Sequence, residues 1–326
     1  MAKRYNMKAR RTEPAVMTLQ FDITTPTGGT EYIDLSQCAS LVNRRFYRQG
    51  INWVVSGFKF VAGPNSGTIA VSKLQQNWTM ANGWKKAFAL WNNQQMDAIE
   101  AAGAESAVAR FRDFKVHADE DHVAAGFAGN LLPSVGTIGS LSTATPGEWE
   151  AAEIILPNAD IDPASGARTE PRENFLHMHG TNEFVVGPIA SRGIVEGYAD
   201  SRAYPQSPDP VSPAIDSGNN WMRAMSDVGN DNEEITDNAT DKNDNLPYPQ
   251  VDYPGGQNQL NLMELHDVGG VSGTTIGGTT VLRGGTFPCG LIRFDWSGDS
   301  SLDAVLLVNL VPGSHRGYLC EPMQDM

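Results

Sequence analysis

Residues 17–25 (MTLQFDITT) alternate strictly. Met17, Leu19, Phe21 and Ile23 fall on one face, and Thr18, Gln20, Asp22 and Thr24 on the other. That period of two predicts a half-buried strand, closed by a turn at Pro26, Gly28 and Gly29. INWVVSGFKFVAG (51–63) and GTIAVSKLQ (67–75) read as the next two strands, joined at Gly63-Pro64-Asn65. RFRDFKVHAD (110–119), EWEAAEIILP (148–157), NEFVVGPIA (182–190), RGIVEGYAD (192–200), TTVLRGG (279–285), CGLIRFDW (289–296) and AVLLVNLVP (304–312) supply further strand candidates. Together they approach the eight strands of a two-sheet jelly roll, so the expected class is mainly β, an antiparallel β-sandwich with helical insertions and long loops.

Two segments carry a helical period instead. Asp34 is a candidate N-cap for a helix running to Gly50 as its C′ residue, with Leu35, Cys38, Val42 and Phe46 as the apolar line. Arg44 and Arg48 would lie one turn apart on the other side, with Arg45 between them. Like charges at that spacing repel by a few tenths of a kcal/mol. The helix's negative C-terminus would favour them, and so would an external anion such as phosphate. Farther on, Trp84, Phe88 and Trp91 in residues 78–103 share one helical face, a pattern of core packing.

Charge divides the chain. The first eleven residues carry Lys3, Arg4, Lys8, Arg10 and Arg11 and no acid, although the whole protein is at -14. Residues 1–120 hold 15 Lys and Arg against 10 Asp and Glu; the remainder holds 9 against 28. Such asymmetry points to nucleic-acid contact at the basic end. Residues 1–14 read as a flexible arm and 15–326 as a single jelly-roll domain. Within that domain, residues 199–258 form a proline-punctuated and then acidic surface excursion. No apolar run is long enough to cross a bilayer, and no apolar signal segment follows the basic start. Three widely spaced cysteines, Cys38, Cys289 and Cys320, argue against a secreted disulfide framework and for reducing, intracellular assembly.

Catalytic signatures are sparse. The spacing of His177-Met178-His179 with Glu183 resembles the first metal motif of cupins, where two histidines on one strand face and a carboxylate form a triad for iron or manganese. The second motif is lacking: Pro288 to Arg293 places an arginine where its histidine should be. Asp227, Asp231, Glu233, Glu234, Asp237, Asp241 and Asp244 offer hard oxygens for Ca²⁺ at a subunit contact, without the glycine and final glutamate of an EF-hand loop. No nucleophile elbow, P-loop or C-x-x-C is present. The expectation is therefore a protein that is not an enzyme. A cupin-like metalloenzyme and a glycan-binding β-sandwich are the alternatives.

Four stretches, YIDLSQCASLVNRRFYRQGINWVVSGF (32–58), NWTMANGWKKAFALWNNQQMDAIEAAGAESAVARFRDFKV (77–116), GYADSRAYPQSPDPVSP (197–213) and HRGYLCEPMQDM (315–326), resemble the capsid proteins of small circular Rep-encoding single-stranded DNA viruses. They span close to a third of the chain. The resemblance implies a jelly-roll subunit, an icosahedral shell built from copies of itself, and packaging of a circular single-stranded DNA genome in a virion. It also implies assembly in a host cell and a host receptor as a further partner. The basic arm is shorter than in many such capsids, so Arg44, Arg45 and Arg48 are expected to share the contact with DNA. Tyr5, Tyr47 and Trp53 are the aromatics nearest these cations, Trp53 being first a core candidate. The clusters Lys3-Arg4 and Lys8 to Arg11 also read as a nuclear import signal.

Overall fold

The period-2 segments build two antiparallel sheets that face each other across one apolar core. The structure is a computed structural model and describes residues 14–63, 66–108, 112–137, 140–156, 172–202, 263–272 and 278–323. The arm cations Lys3 to Arg11, the acidic cluster Asp227 to Asp244 and all but the first four residues of the 199–258 excursion lie outside them.

In chain order the framework begins with β1 (Thr18–Thr25), β2 (Thr30–Asp34), α1 (Leu35–Asn43), β3 (Ile51–Ala62) and β4 (Gly67–Lys73). A long insertion follows. It holds α2 (Trp78–Ala101), α3 (Glu120–Ala125), β5 (Ser134–Thr137), β6 (Ser140–Thr143), β7 (Glu153–Leu156), β8 (Arg172–His177), β9 (Glu183–Val186), β10 (Ile189–Gly193) and α4 (Ile194–Arg202). The framework resumes with β11 (Glu264–Val271), β12 (Thr279–Phe287), β13 (Leu291–Gly298) and β14 (Leu302–Leu310). It ends in the short strands β15 (Pro312–Gly313), β16 (Gly317–Tyr318) and β17 (Cys320–Pro322).

One sheet has the order β1-β14-β3-β12, with β17 also paired to β3; the other has β11-β4-β13-β2. Across them the first long strand pairs with the last: β1 with β14, β2 with β13, β3 with β12 and β4 with β11, all antiparallel. Leu19, Phe21, Ile23, Phe58, Phe60, Leu306 and Val308 from one sheet meet Ile33, Ile69, Val71, Ile292, Phe294 and Trp296 from the other. Each such side chain contributes roughly 1.5–3 kcal/mol by leaving water. The alternation expected for residues 17–24 is thus observed.

The insertion forms a third, mixed sheet of order β7-β8-β10-β9, in which β8 and β10 run parallel. It encloses a second core of Trp84, Trp91, Phe114, Val116, Leu176, Met178, Ile194 and Val195, which reaches the framework at Tyr32, Leu74 and Leu291.

Three local expectations are corrected. Residues 194–200 of the expected strand RGIVEGYAD belong to the helix α4, whose apolar residues Ile194 and Val195 turn inward together. Residues 112–116 of RFRDFKVHAD are irregular, and side chains satisfy part of their backbone: Gln49 accepts from the Val116 N–H and donates to its carbonyl. The third concerns α1, which stops at Asn43 rather than continuing to Gly50. Asp34 does cap it, accepting from the amides of Ser36 and Gln37 at 2.8 and 3.3 Å. At the other end the Asn43 amide donates to the Ala39 carbonyl and to the Tyr318 hydroxyl, and Arg44 takes a left-handed conformation at φ 52°. The chain then doubles back and buries Tyr47 and Gln49. Gly50 is needed for a different reason than helix termination: a Cβ there would lie 2.4 Å from the Trp84 ring.

Candidate nucleic-acid interface

The reversal after α1 sets the three sequence-predicted arginines along an irregular segment, Arg44 and Arg48 exposed and Arg45 half-buried. They line a cleft of about 980 Å³ between this segment, α2, Val108, residues 112–114 and the C-terminal turn. Two arginines that sequence reasoning passed over, Arg112 and Arg316, line it too, and among the described residues its single carboxylate is Asp113. Among the described residues, five guanidinium groups against one carboxylate make this a strongly positive concavity in a protein of net charge -14.

The aromatic wall comes from α2. Trp84, Phe88 and Trp91 recur at helical spacing, Trp84 and Phe88 stack at 5.3 Å, and Phe114 meets both edge-on. The expected core face is therefore core and cleft wall at once. Tyr47 and Trp53 are fully buried in the sandwich core, so the aromatics beside the cations are Phe46, Trp84, Phe88 and Trp91 instead. The Arg112 guanidinium lies 4.3 Å from the Trp91 ring centre and donates to Gln95 at 2.7 Å and Asn92 at 3.1 Å. Burial, together with the charge of Arg48, draws its pKa below the usual value. It remains a cation, because free guanidinium deprotonates only above about pH 12.

Arg48 sits 5.5 Å from the Phe46 ring centre, 3.2 Å from Asp113 and 2.8 Å from the Arg112 carbonyl. An acid thus does offset it, from 65 residues downstream in sequence. Burial pushes the Asp113 carboxyl up, while the Gln49 amide and Arg48 pull it down. Arg316 donates to the Phe46 carbonyl and its own carbonyl accepts from the Tyr47 hydroxyl at 3.0 Å. Arg44 stands exposed at the mouth of the cleft.

The root of the arm is fixed at this same place. The Val16 N–H donates to Asn43 Oδ1 at 3.0 Å, and the Val16 carbonyl accepts from the Tyr318 hydroxyl at 2.7 Å. Pro14, where the described chain begins, is two residues from Val16, which is bonded to the neighbour of Arg44.

The metal alternative is not assembled. His177 and His179 are buried, but the ring nitrogens of His177 are engaged by Ser191 at 2.7 Å and the Thr181 carbonyl at 3.0 Å. Glu183 faces solvent and pairs with Arg192 at 3.2 Å. Among the described residues no group of three or more His, Cys, Asp or Glu could hold a metal ion. Arg293, which stood in the place of the missing histidine, is held by Asp119, Asp121 and Asp295 at 2.8–3.0 Å. No described helix is long and apolar enough to cross a membrane. In comparisons with known proteins, no family model, curated protein or solved structure matches the chain.

Proposed function

We propose that this protein is the subunit of a viral capsid, a jelly roll that assembles with copies of itself into an icosahedral shell around circular single-stranded DNA. First-with-last pairing of eight strands is what results when one long antiparallel ribbon is rolled over on itself, which supports the jelly-roll reading. The observation that carries the DNA contact is the position of the arm root. Val16, five residues after the last arm cation Arg11 in sequence, is hydrogen-bonded to Asn43 beside Arg44, one of five arginines among the described residues that line the cleft. Packaging of this kind is sequence-blind, driven by phosphate neutralisation, and weakens steeply with salt. The resemblance of four chain segments to capsid proteins of small circular single-stranded DNA viruses agrees with it.

Electron microscopy of the purified full chain tests the reading. Uniform closed particles are expected, and a stable monomer or small oligomer overturns it. Deleting residues 2–11 is expected to reduce co-purifying nucleic acid more than particle yield; unchanged nucleic-acid content would remove the arm from the contact.

A further inference from the structure

We propose that the arginine cleft, rather than the arm, makes the protein prefer unpaired nucleotides over duplex; this rests on the nucleic-acid reading above and assigns that site its ligand class. The arm offers charge, and charge alone meets the phosphates of single strand and duplex alike. The cleft offers more. It is concave, and Phe46 and Phe88 are only half-buried in its wall. Guanidinium groups stand over its rings, Arg48 over Phe46 and Arg112 over Trp91. Flat apolar faces bordered by cations suit a nucleotide, whose base stacks while its phosphate meets the guanidinium.

A second observation points the same way. The indole N–H groups of Trp84 and Trp91 lie in this wall with no acceptor, and the two side chains are 5% and 4% exposed. Unmet buried donors are costly, and a small repacking of the wall around a ligand rich in oxygen acceptors relieves them. A duplex keeps its bases stacked within and presents phosphates outside, so it reaches only the rim. An unpaired strand turns a base inward.

The test is fluorescence anisotropy of the full-length protein with three labelled probes of equal length: oligothymidylate, its duplex with oligoadenylate, and an abasic strand. Oligothymidylate is expected to bind about tenfold tighter than the other two. Phe46→Leu, and independently Phe88→Leu, should remove that margin while leaving duplex and abasic affinities within about twofold; Arg44→Gln should weaken all three. Circular dichroism identifies a variant that fails to fold, in which case the other carries the result. Equal wild-type affinities for the three probes, or a margin that survives in both folded variants, overturns the proposal. So does free thymidine monophosphate that displaces the strand at equal nucleotide concentration, since the site would then serve free nucleotides. Failure to form particles overturns the capsid reading, whereas particles that bind all three probes equally overturn only this one.

Discussion

The two ends of the protein's interior are made of different material. Between the sheets the buried side chains are carbon: Phe21, Phe58, Phe60, Ile292, Phe294 and Leu306. Where the insertion meets α1 and the framework, they include Asp34, Gln49, His117, Asp119, His122, His177 and His179. The first region is held by area and shape, and any sequence with the right alternation approximates it. The second is held by particular hydrogen bonds, and there the chain reverses direction to set the arginines around a cleft. A buried carboxylate such as Asp34 shows the cost of this construction. Burial pushes its pKa up to about 6 against the pull of Gln49, Gln37, Trp149 and Ser36.

The largest effect is expected in the carbon region. Phe294 packs against Phe58 and Phe60 at 5.7 and 5.8 Å, so Phe294→Ala should cost about 3–5 kcal/mol by urea denaturation, with the oligonucleotide affinity of the folded fraction unchanged. Loss of affinity without loss of stability would mean that the two regions are not separable. Next is the polar anchor. Asp34 also accepts from Gln49 at 3.1 Å and Trp149 at 3.0 Å, so Asp34→Ala strands four donors. A loss of about 2–3 kcal/mol is expected, accompanied by weaker oligonucleotide binding, because Gln49 holds the segment bearing Arg48.

Acid should act on the polar region alone. Burial draws His117, His177 and His179 down to about 4 and His122 well below its usual value, so all four are neutral in the fold. Unfolding lets each take a proton once pH falls below 6.5. Stability contributed by each neutral ring is therefore lost as pH drops from 6.5 toward 4, at about 1.4 kcal/mol per pH unit per histidine. Asp34, Asp113 and Asp119, all raised, work in the opposite sense. The readable quantity is a difference: thermal melts of His179→Asn should decline less steeply with acidification than wild type, by about one histidine's share. Parallel slopes would show that His179 is already charged in the fold. The smallest effect on stability belongs to Arg44. Arg44→Gln should change it by less than about 0.5 kcal/mol and lower the salt dependence of DNA binding by about one ion. An unaltered salt slope would remove Arg44 from the phosphate contact.

Much of the carbon region was legible beforehand, because residues 17–25 carry their own alternation and 51–63 and 304–312 are apolar runs rich in β-branched and aromatic residues. Several framework pieces were not. The strands Thr30–Asp34 and Glu264–Val271 are short or rich in glycine and charge, and they become strands only because β13 and β4 pair with them. Ile194 to Asp200 reads as a strand locally, yet it lies in a helix because its apolar residues dock on the second core. The cleft was half legible. Arg44, Arg45 and Arg48 stand out as a cluster, whereas Arg112 and Arg316 are isolated in sequence and arrive only through folding. Both lie within the stretches 77–116 and 315–326 that carried the capsid resemblance, which was the one available signal for them.

By itself, then, the sequence determined which faces of the long strands are buried, the cap at Asp34, the aromatic face of α2 and the polarity of charge along the chain. These are properties of neighbours within a few residues, and local periodicity records them. Tertiary structure alone decided that α1 ends at Asn43, since the bond to Tyr318 that holds the turn comes from 275 residues away. It alone gathered five arginines around one cleft and set the root of the arm beside them. Contacts of that sequence separation leave no period in the chain.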